Sequence, residues 1–506
     1  MSGLLQKARQ YEKEANLRIT PQERPVFHLT PPCGWMNDPN GFSLYGGKYH
    51  LFFQYNPYSM HWDTMYWGHA ESSDLLHWEY LPAALAPDRD YDEAGCFSGN
   101  AIELDDGRQL LMYTGVRREK QSDGEMRDVQ VQCLAVGDGR DYQKTEGNPV
   151  IAAEKLPAGA SRHDFRDPKL WRRQDGTYCC AVASRAADGS GQILLYTSKD
   201  AFSWDFWKVL AANKHRYGRM WECPDFFTLD GTAVLLVSPQ DMLSDGEFHS
   251  GNASLCILGN FDEATGAFTE RSVQPVDSGI DFYAMQTVLA ADGRRIMLGW
   301  MQNWDSCTIR EDGQWATQMS LPRELFIRNE RLCQKPVKEL EKLRQVAASC
   351  SNLSFCGSKC LEGLKGRAVD MEITIRPALE GEPFHSFRIR FADNGTFYTD
   401  IVYYAHEHKL RIDRSHSGSH RALLHTQDCT VLSKAEELHL RLVLDIYSAE
   451  LFINGGEQAM SAVFYTDRSA DSISFHAEGC RRISSGNSSS LPASISNIST
   501  HFEITL

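Results

Sequence analysis

The chain has no apolar run long enough to span a bilayer. Its N-terminus, MSGLLQKARQYEKEANLR, lacks the apolar core and small-residue cleavage site of a secretory signal. Both absences predict a cytoplasmic protein. It has no basic excess: 52 Lys and Arg face 67 Asp and Glu, a net charge of −15. That sign argues against nucleic acid or an anionic membrane as the main partner, and fits a small neutral molecule. The 14 cysteines, from Cys33 to Cys480, lack the paired CxxC spacing of a zinc site. They read as free thiols in a reducing compartment, and neither a metal nor a cofactor is expected. Long helical periodicity is scarce, which sets aside helical bundles. Hydrophobic residues at 42% and charged residues at 24% are ordinary for a globular chain and exclude disorder, collagen and coiled coil.

What is present is strand. A short charged helix is expected over Leu4–Leu17, ahead of Pro21. Then come short aromatic and β-branched runs bounded by Gly, Asp, Asn and Pro, such as KYHLFFQYN from Lys48 and AVLLVS from Ala233. Hairpin dipeptides stand at Gly46-Gly47, Asp106-Gly107, Asp175-Gly176, Asp230-Gly231 and Asp292-Gly293. Their second glycines are 60, 69, 55 and 62 residues apart. Five units of this size predict a five-bladed β-propeller. Ser72-Ser73-Asp74 with Trp78 and Ser198-Lys199-Asp200 with Trp204 repeat one further pattern. PVKELEKLR, from Pro336, carries Val337, Leu340 and Leu343 on one helical face, with Pro336 suited to N1. Beyond it the strands continue without the propeller signature, as a β-sandwich would. The fold class is therefore all-β: an N-terminal extension (1–25), a propeller (26–335), a linker helix (336–346) and a C-terminal β-sandwich (347–506). The Ser-rich stretch from Ile483, ISSGNSSSLPASIS, reads as a loop within the sandwich.

Nine positions before each second turn glycine stand Asp38, Ser98, Asp167, Glu222 and Ala284. Equivalent positions on the innermost strands of a propeller face one another around its axis. Three carboxylates there would crowd like charges, which costs stability and so points to function. They could hold a hard cation or cleave a glycosidic bond, one attacking the anomeric carbon and another protonating the leaving oxygen. The neighbours favour sugar: tryptophans such as Trp35, Trp62, Trp67, Trp221, Trp300 and Trp304, with amides and a guanidinium for hydroxyls. Most other tryptophans, Trp78 and Trp204 among them, read as packing. Asp225 reads as a local hydrogen-bonding residue of its turn, and His69 and His77 as structural.

Three blocks, Trp35-Met36-Asn37-Asp38-Pro39-Asn40-Gly41, Phe165-Arg166-Asp167-Pro168-Lys169 and Glu222-Cys223-Pro224-Asp225, closely resemble the motifs of glycoside hydrolase family 32, the invertase or β-fructofuranosidase family. Gln54–Pro57, Phe97–Gly99, Asp281–Ala284, Gly299–Gln302 and Ser320–Glu324 extend the resemblance along the chain. It implies a retaining β-fructofuranosidase that cleaves sucrose or sucrose 6-phosphate through a covalent fructosyl-enzyme. Asp38 would be the nucleophile. Glu222 would be the general acid and then the base. Asp167 would bind fructose hydroxyls and stabilise the transition state. Asn37, Gln54, Trp62, Phe97, Ser98, Arg166, Asp281, Tyr283 and Trp300 would bind substrate.

Two residues depart from the commonest pattern, Asn100 after Phe-Ser-Gly and Met285 after Asp-Phe-Tyr-Ala. Both are expected towards the leaving-group side. Lys214, His215, Arg216 and Arg219, just before Glu222, could meet a phosphate or form a solvated basic loop. Short fructans remain a second substrate class, and fructosyl transfer shares the same covalent intermediate. A non-catalytic sugar-binding propeller should have lost a carboxylate, and none is lost.

Overall fold

Each of the five hairpin dipeptides joins the first and second strands of a separate antiparallel sheet in the computed structural model. The structure describes residues 1–306, 308–310, 312–376, 384–418, 423–433, 437–479 and 493–501. The first strands are Gly34–Tyr45, Gly95–Glu103, Phe165–Arg172, Trp221–Leu229 and Tyr283–Leu289. At each turn the second glycine takes the left-handed conformation, with φ between 76° and 85°, which costs little without a Cβ. Each sheet then adds two more strands outward. Neighbouring first strands touch in sequence order, and the fifth returns to touch the first, so they close a ring. The short strand Trp315–Ala316, from the fifth unit, pairs parallel with the start of the first sheet at Gly34 and Trp35. Apolar clusters fill the spaces between sheets, Trp67 and Phe52 against Tyr113 in one and Trp204 and Phe165 in another.

The repeated S-x-D-x-x-x-W pattern is one repeated turn. In both copies the Asp carboxylate caps the following backbone amides, and the indole N–H donates back to a carbonyl, Trp78 to Leu75 (2.9 Å) and Trp204 to Ala201 (3.0 Å).

The N-terminal helix runs Gly3–Asn16, capped by the Ser2 hydroxyl, which accepts from the Leu5 amide. Leu5, Ala8, Glu12 and Ala15, three or four residues apart, form its buried face. Glu12 accepts a bond from the Ala83 amide (2.8 Å), fastening the helix to the outer strand of the first sheet. Among the described residues no helix is long and apolar enough to cross a membrane.

The expected linker helix is shorter than its pattern suggested. Pro336 still belongs to a strand, Arg331–Pro336, where it lies opposite Arg323. The helical part is a 3₁₀ segment, Lys338–Leu343. Pairing holds Pro336 in the ladder, and the Val337 amide still donates across to the Pro322 carbonyl (3.0 Å), so the helical turns begin only at Lys338. Beyond lie two six-stranded sheets sharing one core, in which Met371, Ile373, Leu440 and Leu442 meet Phe387, Ile389 and Phe475. Of the Ser-rich stretch, 483–492 lies outside the described residues, and from Ala493 the chain is already strand, Ala493–His501.

The two halves are fastened by buried charges. Arg323 donates to Glu450 and Asp277, His28 lies between Asp445 (2.8 Å) and Glu450 (2.9 Å), and Arg414 pairs with Asp281 (2.7 Å).

Candidate active site

The five positions nine residues before the turn glycines share a local geometry. At or beside each of them the first strand leaves register with its neighbour. Asn37 and Asp38 fall between the paired residues Met36 and Pro39, and Ser98 between Phe97 and Gly99. Asp167 falls where pairing skips from Arg166 to Lys169, Glu222 immediately before a skip to Asp225, and Ala284 between Tyr283 and Gln286. Such bulges re-aim side chains. Asp167, Cys223 and Ala284 take positive φ of 63°, 48° and 54° there, a local strain typical of functional sites.

The bulges converge on a cavity of about 330 Å³. Its wall includes Asn37, Asp38, Gln54, Trp62, Phe97, Ser98, Arg166, Asp167 and Glu222, nine of the twelve residues the sequence nominated, together with Gln240 and Trp304. Larger clefts border the N-terminal helix, but they gather no comparable set of buried carboxyls.

Asp38 accepts from the Ser98 hydroxyl at 2.6 Å and from the Asn37 amide at 3.0 Å. Trp35 Nε1 donates to Asn37 Oδ1 (2.7 Å), which fixes the amide so that its N–H₂ faces Asp38. Burial raises the Asp38 pKa, while the Ser98 and Asn37 bonds pull it back. Asp167 is pushed up to about 7, chiefly by burial; Arg166 opposes the rise, and the charges of Glu222 and Asp38 add to it. Its Oδ2 accepts from the Cys223 amide at 2.9 Å. The Cys223 thiol lies 3.5 Å from Asp38 and 3.6 Å from Asp167. Burial and these carboxylates hold it well above its ordinary pKa, so it stays a protonated weak donor.

Glu222 is the most heavily bonded of the three. Arg166 donates twice to Oε1 (3.0 and 2.9 Å), and Gln240 and Tyr283 each meet Oε2 (2.8 and 2.7 Å). This guanidinium is the only cation on the cavity wall among the described residues. Gln240 was not singled out from sequence. It follows the strand Thr232–Pro239, and the pairing of Glu222 with Ser238 carries it past the acid. Counting nine residues forward from Gly231 reaches it. Trp304 comes from a loop with no such register. Its ring stacks at 20° over Trp35 and stands edge-on to Trp62, 6.3 Å away.

Three nominated residues lie elsewhere. Asp281 is fully buried against the C-terminal half, held by Arg414 and the Val463 amide. It precedes the first strand of the fifth sheet, and its side chain faces the neighbouring domain. Tyr283 sits behind Glu222 and touches it. Trp300 is fully buried, backing Trp35 and Trp304 with ring centroids at 5.9 and 4.9 Å.

Neither departure from the common pattern reaches the leaving-group side of the wall. Asn100 accepts from the Leu170 amide and donates to Gln286, deep in the ring of strands, and Met285 is buried beside Ser238. Asp225 is not local to its turn. It takes bonds from Lys169 (2.9 Å) and from the amide and hydroxyl of Thr287, tying the third, fourth and fifth sheets. None of Lys214, His215, Arg216 and Arg219 lines the cavity, and Arg216 is committed to Glu270.

Residues 28–336 match the Glycosyl hydrolases family 32 N-terminal domain, and residues 339–493 match the Glycosyl hydrolases family 32 C terminal. The raffinose invertase of Escherichia coli is 36% identical over 462 residues, covering 90% of this chain and 92% of that protein. The sucrose-6-phosphate hydrolase of Escherichia coli is 38% identical over 470 residues, covering 90% and 91%. A mutant of the Bombyx mori GH32 β-fructofuranosidase, solved in complex with sucrose, superposes with a TM-score of 0.80 at 30% identity, covering 98% of this chain and 97% of that one. The sucrose-6-phosphate hydrolase of Lactobacillus gasseri gives 0.81 at 26% identity, covering 97% and 96%.

Proposed function

This chain belongs to glycoside hydrolase family 32 and is a glycoside hydrolase, and from that premise we propose that it is a retaining β-fructofuranosidase acting on sucrose or sucrose 6-phosphate. The observation that carries the proposal is the meeting of Asp38, Asp167 and Glu222 in one cavity, each with its own donor set. Asp38, oriented by Ser98 and Asn37, attacks C2 of the fructosyl unit. The C2–O bond to glucose breaks, and Glu222 gives its proton to the departing oxygen. In the second half Glu222 takes a proton from water, water attacks C2, and the ester bond to Asp38 breaks. Asp167 accepts bonds from fructose hydroxyls and, when ionised, stabilises the positive charge developing at C2. Trp62, Trp304 and Phe97 supply apolar faces for the sugar.

A five-bladed propeller over 26–335, an N-terminal extension over 1–25, a linker over 336–346 and a sandwich over 347–506 is the architecture we read from the five ringed sheets and the paired six-stranded sheets. Among the described residues the cavity wall holds no cation beyond Arg166, which is bonded to Glu222, so the wall supplies no further cationic partner for a 6-phosphate. We place the enzyme in the cytoplasm; free thiols at the described cysteines, nine of them buried, support a reducing compartment.

A kinetic panel of sucrose, sucrose 6-phosphate, kestose and inulin tests the substrate. The expected result is kcat/KM highest for one of the two disaccharides. A higher value for inulin would overturn it. Oligomers outweighing free fructose at high sucrose would make the enzyme a transferase. Activity is expected to survive EDTA, and its abolition would revive a cation between the carboxylates.

A further inference from the structure

Asp281 does not reach the cavity, yet two routes run from it to the cavity wall. Its Oδ2 accepts from Arg414 Nη1 and from the Val463 amide, each at 2.7 Å. The amides of Ile280 and Asp281 both donate to the Ser461 carbonyl (2.8 and 3.0 Å). The C-terminal half therefore grips residues 280 and 281 by side chain and by backbone.

The first route runs along the chain. Two residues on, the Tyr283 hydroxyl lies 2.7 Å from Glu222 Oε2. Phe282 between them is pinned under the Arg323 guanidinium, 4.4 Å from its ring centre, and Arg323 is itself bound to Glu450 of the C-terminal half. The second route is lateral. Asp281 Oδ1 accepts from the Ser306 hydroxyl (2.5 Å), and Asn303 Nδ2 donates to the Ile280 carbonyl (2.7 Å). Asn303 Oδ1 in turn accepts from the amides of Asp305 and Ser306. These bonds close the loop that presents Trp304 to the cavity.

Tyr283 has one proton and two acceptors within reach, Glu222 Oε2 and the Ser238 carbonyl at 3.0 Å. When Glu222 is ionised, the hydroxyl donates to it. When Glu222 is protonated, the hydroxyl turns to Ser238 and accepts from the acid. A group placed in this way satisfies both forms of a residue that must lose and regain a proton in each turnover. It does so only while the Tyr283 backbone is held within a fraction of an ångström.

We propose that Arg414, in the C-terminal half, is a positioning residue for the general acid: through Asp281 it fixes Tyr283 against Glu222 and holds the Trp304 loop. The C-terminal half is thereby a working part of the acid machinery. This rests on reading Glu222 as the acid.

The test compares two leaving groups. Sucrose expels a glucose oxygen that needs a proton, whereas 4-nitrophenyl β-fructofuranoside expels a phenolate that does not. In both cases kcat/KM reports the step in which the leaving group departs. Arg414→Lys and Tyr283→Phe are expected to lower kcat/KM on sucrose by about 10- to 100-fold and on the aryl fructoside by less than about threefold. The alkaline limb of the sucrose pH profile is expected to move in both. A role in stability alone would lower both substrates equally and leave the pH profile in place, and that result overturns the proposal. So would a folded Arg414→Lys with unchanged sucrose activity. If Arg414→Lys does not fold, Ser306→Ala, which leaves the ion pair intact, is read by the same ratio. Glu222→Gln is the reference. If it shows no leaving-group dependence, the acid assignment fails. If it does and the Arg414 and Ser306 variants do not, the positioning role alone fails.

Discussion

Arg166 brings one positive charge to a cavity that three carboxyls share, and commits it mainly to one of them. Both of its close bonds go to Glu222, while Asp167 Oδ2 is 4.0 Å from its nearest nitrogen. Asp167 is therefore left with burial only partly compensated, which is why its pKa rises to about 7. The consequence for stability follows from linkage. A carboxyl whose folded pKa lies above its unfolded value of 3.8 favours folding in its neutral form, and that advantage disappears as pH rises towards 7. Asp167→Asn, neutral at every pH, is thus expected to unfold at a higher temperature than the natural enzyme at pH 8. The difference should narrow as pH falls towards 4, and it amounts to a few kcal/mol at most. Calorimetry at pH 4, 6 and 8 checks this; a gap that widens on acidification would contradict it. The same variant should lose most of its activity, stability and function being opposed at this residue. Asp38→Ala and Glu222→Ala are each expected to lower kcat by on the order of 10³ or more, measured with sucrose, and near-normal turnover in either would remove its assigned role. These three acids were legible because they keep register with the turn glycines. Gln240 was not, because it enters from a second strand, and Trp304 was legible only as one of six tryptophans able to stack on a sugar, because it rides a loop fastened from the far domain. Asp281 misled for a related reason: the motif that carries Tyr283 to the acid also carries a neighbour pointing the other way.

At the scale of the element, the same construction recurs five times. A tight turn sets the register of the first hairpin, and a bulge close to nine residues upstream re-aims a side chain towards the axis. Turn and bulge tolerate change differently. Gly47 has φ of 80° with open space around a built Cβ, so Gly47→Ala meets only backbone strain. A loss of about 1–2 kcal/mol is expected, with kcat/KM within about twofold, since the turn is remote from the cavity. Gly99, beside Ser98, is closed by its neighbours: a Cβ there would come 2.0 Å from the Met112 carbonyl oxygen and 2.7 Å from the Tyr113 Cα. Backbone cannot yield at that spacing, so Gly99→Ala is expected to cost several times as much as Gly47→Ala and to displace Ser98 from Asp38. Chemical denaturation of both variants, with sucrose kinetics, checks the pair; equal costs would contradict the bulge reading. The turns could be read from dipeptides because each is a local event. The bulges could not, because they depend on which carbonyl across the sheet a residue fails to meet. The linker helix was overestimated for the same reason: apolar spacing at Val337, Leu340 and Leu343 is local, whereas the ladder that keeps Pro336 in a strand is not.

At the scale of the molecule, the two halves share buried charge. His28, from the segment before the first sheet, is enclosed by Asp445 and Glu450. Burial alone would lower its pKa, but the two carboxylates outweigh it and raise it to about 9. A histidine whose folded pKa lies above its unfolded value of 6.5 contributes stability that is full below pH 6.5 and is lost as pH rises through about 9. His28→Gln is therefore expected to be less stable at pH 6 and to lose less of its melting temperature between pH 6.5 and 9.5 than the natural enzyme, which thermal scans across that range would check. Removing one member of such a cluster strands the others in the dark of the interface, so the halves should unfold together. From sequence the C-terminal half could be read as a sandwich, but not as a neighbour that fastens the catalytic half, because its contacts join residues more than a hundred positions apart. Underlying all three scales is one proposed chemical statement: we infer that Asp38 attacks C2 from the face opposite the departing glucose, and that water then displaces Asp38 from the face the glucose left. The anomer of fructose released in the first minutes of sucrose hydrolysis, followed by NMR before mutarotation, tests this most directly. The β-furanose is expected to appear first; initial release of the α-anomer would contradict a nucleophilic Asp38.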